Sequence, residues 1–137
     1  MSALDRLGVE LARCPYHEFL GPQAVSADEG GVVVRLPYRP EFRLAEDSEL
    51  VHGGVLAALV DITAHAAVAL AVGRVSPTID LRIDYLRPAR GPALLAEGTV
   101  LRAGRSIARA DVVVRDEDGV VVVVGRGTFS TLTKEVA

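Results

Sequence analysis

Between Val51 and Val72 the chain reads VHGGVLAALVDITAHAAVALAV, and this stretch gathers residue types that can do chemistry. Asp61 lies inside a long apolar run, where an acid without a partner is costly to bury. Eight residues earlier, where the run begins, stands Gly53, flanked by His52 and Gly54. Glycines at that point let another group approach the backbone closely. The first amides of a helix have no intrahelical partner and can bind a developing negative charge. A carboxylate base and an oxyanion-binding helix start are two parts of an acyl-transfer site.

The spacing imposes a further condition. Eight residues of helix separate Gly53 from Asp61 by about 12 Å, at a rise of about 1.5 Å per residue. An attacking water and its carbonyl must lie about 3 Å apart. One chain's Gly53 and its own Asp61 therefore do not easily serve the same carbonyl. Two antiparallel helices at a dimer interface would solve this, with Gly53 of one chain facing Asp61 of the other. The same residues make a poor metal site. Asp61 and His65 share a helix face, but His52 is more than two turns away, and no Cys or second carboxylate is placed to complete a zinc site. No metal is expected. Nothing around the lone Cys14 suggests an activated thiol.

The elements that must position this stretch follow from periodicity. Leu4, Leu7 and Leu11 form one stripe of a helix over Ala3–Ala12, which Pro15 is expected to close. Gly30-Gly31 turns the chain into a strand over Val32–Tyr38, and Arg39–Leu50 reads as a loop. After the helix the period changes to two. In Thr78–Tyr85, Ile79, Leu81, Ile83 and Tyr85 face one way, and Thr78, Asp80, Arg82 and Asp84 the other. Further strands are expected over Ala93–Leu101, Ile107–Arg115 and Val120–Leu132, with turns at Ala103-Gly104-Arg105 and Asp118-Gly119. One sheet must then cover one long helix, an α+β fold.

With 137 residues, half of them hydrophobic, the chain is expected to form a single domain over 1–137, with its core at about 22–133. The formal charge of −3 argues against nucleic acid as the main partner. Asp61 and His65 in mid-helix argue against a membrane span. A lone cysteine and no signal-peptide pattern point to the cytoplasm. The chain also lacks the strand-turn-helix serine of an α/β-hydrolase, so no serine nucleophile is expected.

The motifs together resemble a known family. VHGGVLAALVD (Val51–Asp61), PTIDLRIDYLRPA (Pro77–Ala89), VLRAGRSIARADVVVRDEDG (Val100–Gly119) and GRGTF (Gly125–Phe129) are similar to the hotdog-fold acyl-CoA thioesterases, and among them to the phenylacetate-pathway (PaaI-like) enzymes. The resemblance covers about Val32 to Leu132. It implies a curved antiparallel sheet wrapped around a central helix, assembled as dimers or tetramers with paired sites. It implies acyl-CoA hydrolysis, with Asp61 as general base or nucleophile and the Gly53 N–H as oxyanion donor. Coenzyme A belongs to the substrate, and no separate cofactor is implied.

Other roles follow from the same resemblance. Thr78 matches a Ser/Thr position that helps hold the water. His52 either takes part in proton transfer or shapes the helix entry and hydrogen-bonds the loop. His65 either orients Asp61 and tunes its acidity or is a satisfied buried histidine. Arg102, Arg105, Arg87 and Arg90 are candidate contacts for the phosphates of coenzyme A. One position departs from the pattern. Where many relatives carry an Asn or Gln that polarises the carbonyl, this chain has Glu46, and an ionised Glu cannot donate a hydrogen bond. That departure keeps open a second reading, a non-catalytic acyl-CoA-binding module on the same fold. A hydratase is disfavoured because Asp61-Ile-Thr-Ala-His65 does not resemble the hydratase motif. With three Phe and three Tyr in the chain, an aliphatic-lined acyl pocket is expected.

Overall fold

The structure is a computed structural model that describes residues 1–132. The expected ends of the domain at 137 and of the core at 133 lie outside the described residues. Ser2 opens α1 (Ala3–Leu11) through a capping box: its hydroxyl accepts from the Asp5 amide, and the Asp5 carboxylate accepts from the Ser2 amide. Leu7, Leu11 and Glu10 form the buried stripe of this helix. Pro15 does not close α1. It opens a second helix, α2 (Pro15–Leu20), at the first helical position, where the missing N–H costs nothing. The expected short N-terminal helix is α1, and a second short helix follows it.

The hairpin β1 (Gln23–Asp28) and β2 (Gly31–Pro37) follows, then a 3-10 turn at Pro40–Phe42 and the central helix α3 (Gly53–Val72). After α3 come β3 (Thr78–Tyr85), β4 (Ala93–Ala103), β5 (Ile107–Asp116) and β6 (Val121–Ser130). The sheet order is β1-β2-β4-β5-β6-β3, with every pairing antiparallel. β3 runs directly after the helix yet pairs with the last strand, at the far edge of the sheet. Alternation places Ala108, Ala110, Val112 and Val114 of β5 against the helix, all buried, as the period-two pattern requires.

α3 packs against strands β2 to β6 and against α1. Its length and composition would suffice to cross a membrane, with a mean hydropathy of 2.1. In the fold it is the core helix, buried continuously from Ile62 to Ala69. Its approach to the sheet is close. A Cβ on Gly125 of β6 would lie 2.6 Å from Val60 Cγ1, so only glycine fits beneath that turn of helix. Gly73 ends α3 in the left-handed conformation, φ 79°.

One detail of β3 corrects the simple alternation. The β3–β6 register shifts between Thr78 and Asp80, a bulge that takes Ile79 out of the pairing. Thr78 therefore stands opposite the buried Phe129 and faces the helix, while Asp80, Arg82 and Asp84 stay on the outer face. Thr78 does not share a face with those three residues. The strand is also less covered than a half-buried strand should be: Ile79 is 58% and Tyr85 53% exposed, because β3 is an edge.

Candidate active site

The loop before α3 is pinned at several points. Arg43 bridges to Val51 and Leu50 to Arg90, the Val51 amide donates to the Ala89 carbonyl at 2.8 Å, and the His52 amide donates to the Phe42 carbonyl at 2.7 Å. His52 is then the N-cap residue of α3. Its Nδ1 accepts from the Gly54 amide at 2.8 Å. This assigns the neutral ring's proton to Nε2, on the exposed side chain. It also occupies the nitrogen that would have to accept a proton in base catalysis. A Cβ on Gly54 would lie 3.0 Å from His52 Nδ1, a tight approach that the exposed His52 ring would have to yield to.

Gly53 is the first residue of the helix, and its N–H has no protein acceptor among the described residues. The peptide carrying that N–H is polarised from its other end: the His52 carbonyl accepts from Val55 at 3.0 Å and from Leu56 at 3.4 Å. The Gly53 carbonyl accepts from the Tyr85 hydroxyl at 2.8 Å. Tyr85 was not among the residues the sequence singled out for the site. A Cβ on Gly53 would lie 3.5 Å from the Tyr85 ring, an ordinary contact.

Asp61 is half-buried two turns further along, and its Oδ1 accepts from the Thr78 hydroxyl at 2.8 Å. Oδ2 has no protein donor among the described residues. His65 lies one turn on but turns elsewhere. Its Nε2 accepts from the Ser76 amide at 3.1 Å, which leaves the ring proton on Nδ1, 3.0 Å from Glu10 Oε1. Both nitrogens are thus engaged away from Asp61, and His65 is a buried histidine with its polar atoms satisfied. Burial alone would raise the pKa of Glu10. The His65 hydrogen bond, helped by Arg13 at 3.0 Å, outweighs it and holds the carboxyl below the usual carboxylate range.

The remaining predicted residues are spread more widely. Glu46 is exposed; its carbonyl accepts from Arg43, and its carboxylate has no hydrogen-bond partner among the described residues. Arg102, on β4, and Arg105, in the β4–β5 turn, are exposed and form no ion pair among the described residues. Arg87 borders a groove of about 390 Å³ that Gly53 and Tyr85 also line. Leu44, Leu50, Val51, Leu56 and Leu86 make the rest of its wall largely aliphatic. A larger concavity, about 630 Å³, lies on the outer sheet face, where Asp111 and Arg126 pair in bidentate fashion at 2.7 and 3.0 Å. Among the described residues, no group of three or more His, Cys, Asp or Glu side chains is placed to hold a metal ion.

A long helix cradled by a six-stranded antiparallel sheet is the hotdog fold, here with an open amide at the helix start and a carboxylate two turns along. The sequence model of the Thioesterase superfamily matches residues 49–123, and the chain belongs to that superfamily. A solved structure of a thioesterase-superfamily protein superposes with a TM-score of 0.91 at 36% identity, over 95% of this chain and 98% of that one. A Halobacterium salinarum protein that bears an esterase name is 37% identical over 122 residues, 81% of this chain and 80% of its own length. The medium/long-chain acyl-CoA thioesterase YigI of Escherichia coli is 35% identical over 98 residues, 58% of this chain and 61% of its own length.

Proposed function

We propose that this chain hydrolyses aliphatic acyl-CoA thioesters at two equivalent sites of a homodimer, each built from Gly53 of one protomer and Asp61 of the other. The observation that carries the reading is Asp61, bonded by Thr78 of β3, on the same helix as a Gly53 amide without an acceptor among the described residues. Thr78 fixes Oδ1 and leaves Oδ2 to take a proton from water. The water oxygen bonds to the thioester carbon, and the Gly53 N–H receives the oxyanion. Collapse of that intermediate breaks the C–S bond, and the departing thiolate of coenzyme A takes up a proton. Asp61 attacking the carbonyl directly is the variant of this scheme.

The dimer is supported by the 12 Å argument and by what one chain leaves open. Among the described residues the β3 edge has no strand partner on its outer side, Ile79 and Leu86 are exposed, and the α3 face at Gly54, Ala57, Ala58 and Asp61 is incompletely covered. An aliphatic substrate is supported by the groove beside Gly53 and by the printed activity of YigI. Arg87, at the groove, and the exposed Arg102 and Arg105 are assigned to the phosphates of coenzyme A. The cytoplasm, where acyl-CoA is available, suits the lone Cys14.

The test is thiol release from acyl-CoAs ranging from acetyl to palmitoyl, with phenylacetyl and benzoyl alongside, by wild type and Asp61→Asn. Release from the aliphatic members that Asp61→Asn abolishes is the expected result. Acyl-CoA binding without release would favour a binding module, the reading that the anionic side chain of Glu46 motivates.

A further inference from the structure

The peptide after the open amide is held at both ends. Its carbonyl, on Gly53, accepts from the Tyr85 hydroxyl at 2.8 Å, and its N–H, on Gly54, donates to His52 Nδ1 at 2.8 Å. The two anchors come from different elements. His52 is the cap of the helix itself, whereas Tyr85 is the last residue of β3, 32 positions away. A helix N-terminus frays readily, because its first amides lack intrahelical partners. The His52 cap is exposed and local, and His52 is itself tied through its amide to the Phe42 carbonyl of the preceding loop, not to a strand. Among the described residues, it is Tyr85 whose hydrogen bond ties this peptide to the sheet.

We propose that Tyr85 is a positioning residue for the oxyanion donor, holding the first turn of α3 so that the Gly53 N–H meets the substrate carbonyl at a fixed place. This rests on the hydrolysis reading above. Three features support it. The tyrosine ring lies 3.5 Å from where a Gly53 Cβ would be, so ring and hydroxyl together fix the depth of the helix start against β3. Gly53 and Tyr85 line the same groove, so the restrained turn borders the space assigned to substrate. The hydroxyl also meets no other acceptor among the described residues, and structural packing of an edge tyrosine would not need it.

The test is Tyr85→Phe, which keeps the ring and removes the hydroxyl. Its thiol-release kcat is expected to fall about tenfold with KM unchanged, as losing one hydrogen bond to a pre-organised donor implies. Gly53→Pro provides the second arm. Proline is tolerated at the first helical position and removes the N–H, and the Cβ it adds would lie at an ordinary 3.5 Å from the Tyr85 ring. If Tyr85 acts through that N–H, adding Tyr85→Phe to Gly53→Pro costs nothing further, a non-additivity that a merely structural role would not produce. Full kcat in Tyr85→Phe beside an inactive Asp61→Asn, or additive losses in the double variant, would overturn the role of Tyr85 alone. A wild type that releases no thiol would overturn the hydrolysis reading itself.

Discussion

The buried Glu10–His65 pair makes a stability prediction that is independent of catalysis. Glu10 and His65 are 9% and 8% exposed, and they join α1 to the middle of α3 at 3.0 Å. His65 in turn receives the Ser76 amide, so the pair also secures the connection between α3 and β3. Glu10→Leu would leave the His65 N–H buried with no acceptor, at a cost of about 1–3 kcal/mol, rising towards about 4 if charge is stranded as well. Glu10→Gln keeps an acceptor oxygen and loses only the charge, so about 1 kcal/mol is expected at neutral pH. The Arg13 pair adds little, because Arg13 is more than a third exposed.

The pH dependence has a defined sign. The Glu10 carboxyl titrates below its ordinary value in the folded chain: burial opposes ionisation, but the His65 and Arg13 interactions prevail. Its contribution is therefore complete above the unfolded pKa of about 4.3 and is lost as pH falls through the lower folded value. Urea unfolding of wild type and Glu10→Gln should show a gap that is constant at neutral pH and closes as pH drops from about 5 towards 3. A Glu10→Leu variant as stable as wild type, or a wild-type advantage over Glu10→Gln that does not shrink in acid, would refute the reasoning.

Two other outcomes are expected. Gly125→Ala should lower stability by about 1–3 kcal/mol in urea unfolding, because its Cβ would lie 2.6 Å from Val60 Cγ1 under a helix that cannot move freely. Thr78→Val keeps the shape of the side chain and removes the donor to Asp61 Oδ1. It should lower thiol-release kcat by about tenfold while leaving unfolding by urea little changed.

The parts of this molecule legible in its sequence are those that local pattern controls. An apolar run with glycines at its start reads as a wrapped helix. Alternation in β5 predicts Ala108, Ala110, Val112 and Val114 against it, as observed. What escaped depends on single residues or on distant partners. Thr78 faces the helix because one bulge shifts the register, and period two cannot reveal a bulge. Pro15 begins a helix because Pro suits the first helical position as well as it suits a stop. His65 looked like a neighbour of Asp61 by helical spacing, yet its partner, Glu10, lies on another helix. Tyr85 seemed an ordinary apolar strand position, and only its distance to the Gly53 carbonyl shows otherwise. Glu10 left a faint sign, a charged residue beside the Leu7–Leu11 stripe of α1.

The central claim is that one site combines Gly53 of one protomer with Asp61 of its partner, and subunit mixing tests it directly. Asp61→Asn homodimers should be inactive in thiol release and Gly53→Pro homodimers should keep only a small residual rate, since every site lacks one component. In a mixed dimer, one site carries both defects and the other carries neither. Co-refolding the two variants in equal amounts should therefore restore about one quarter of wild-type activity, as random pairing in a two-fold dimer requires. Mixed dimers that form and remain as inactive as their parents would contradict the account.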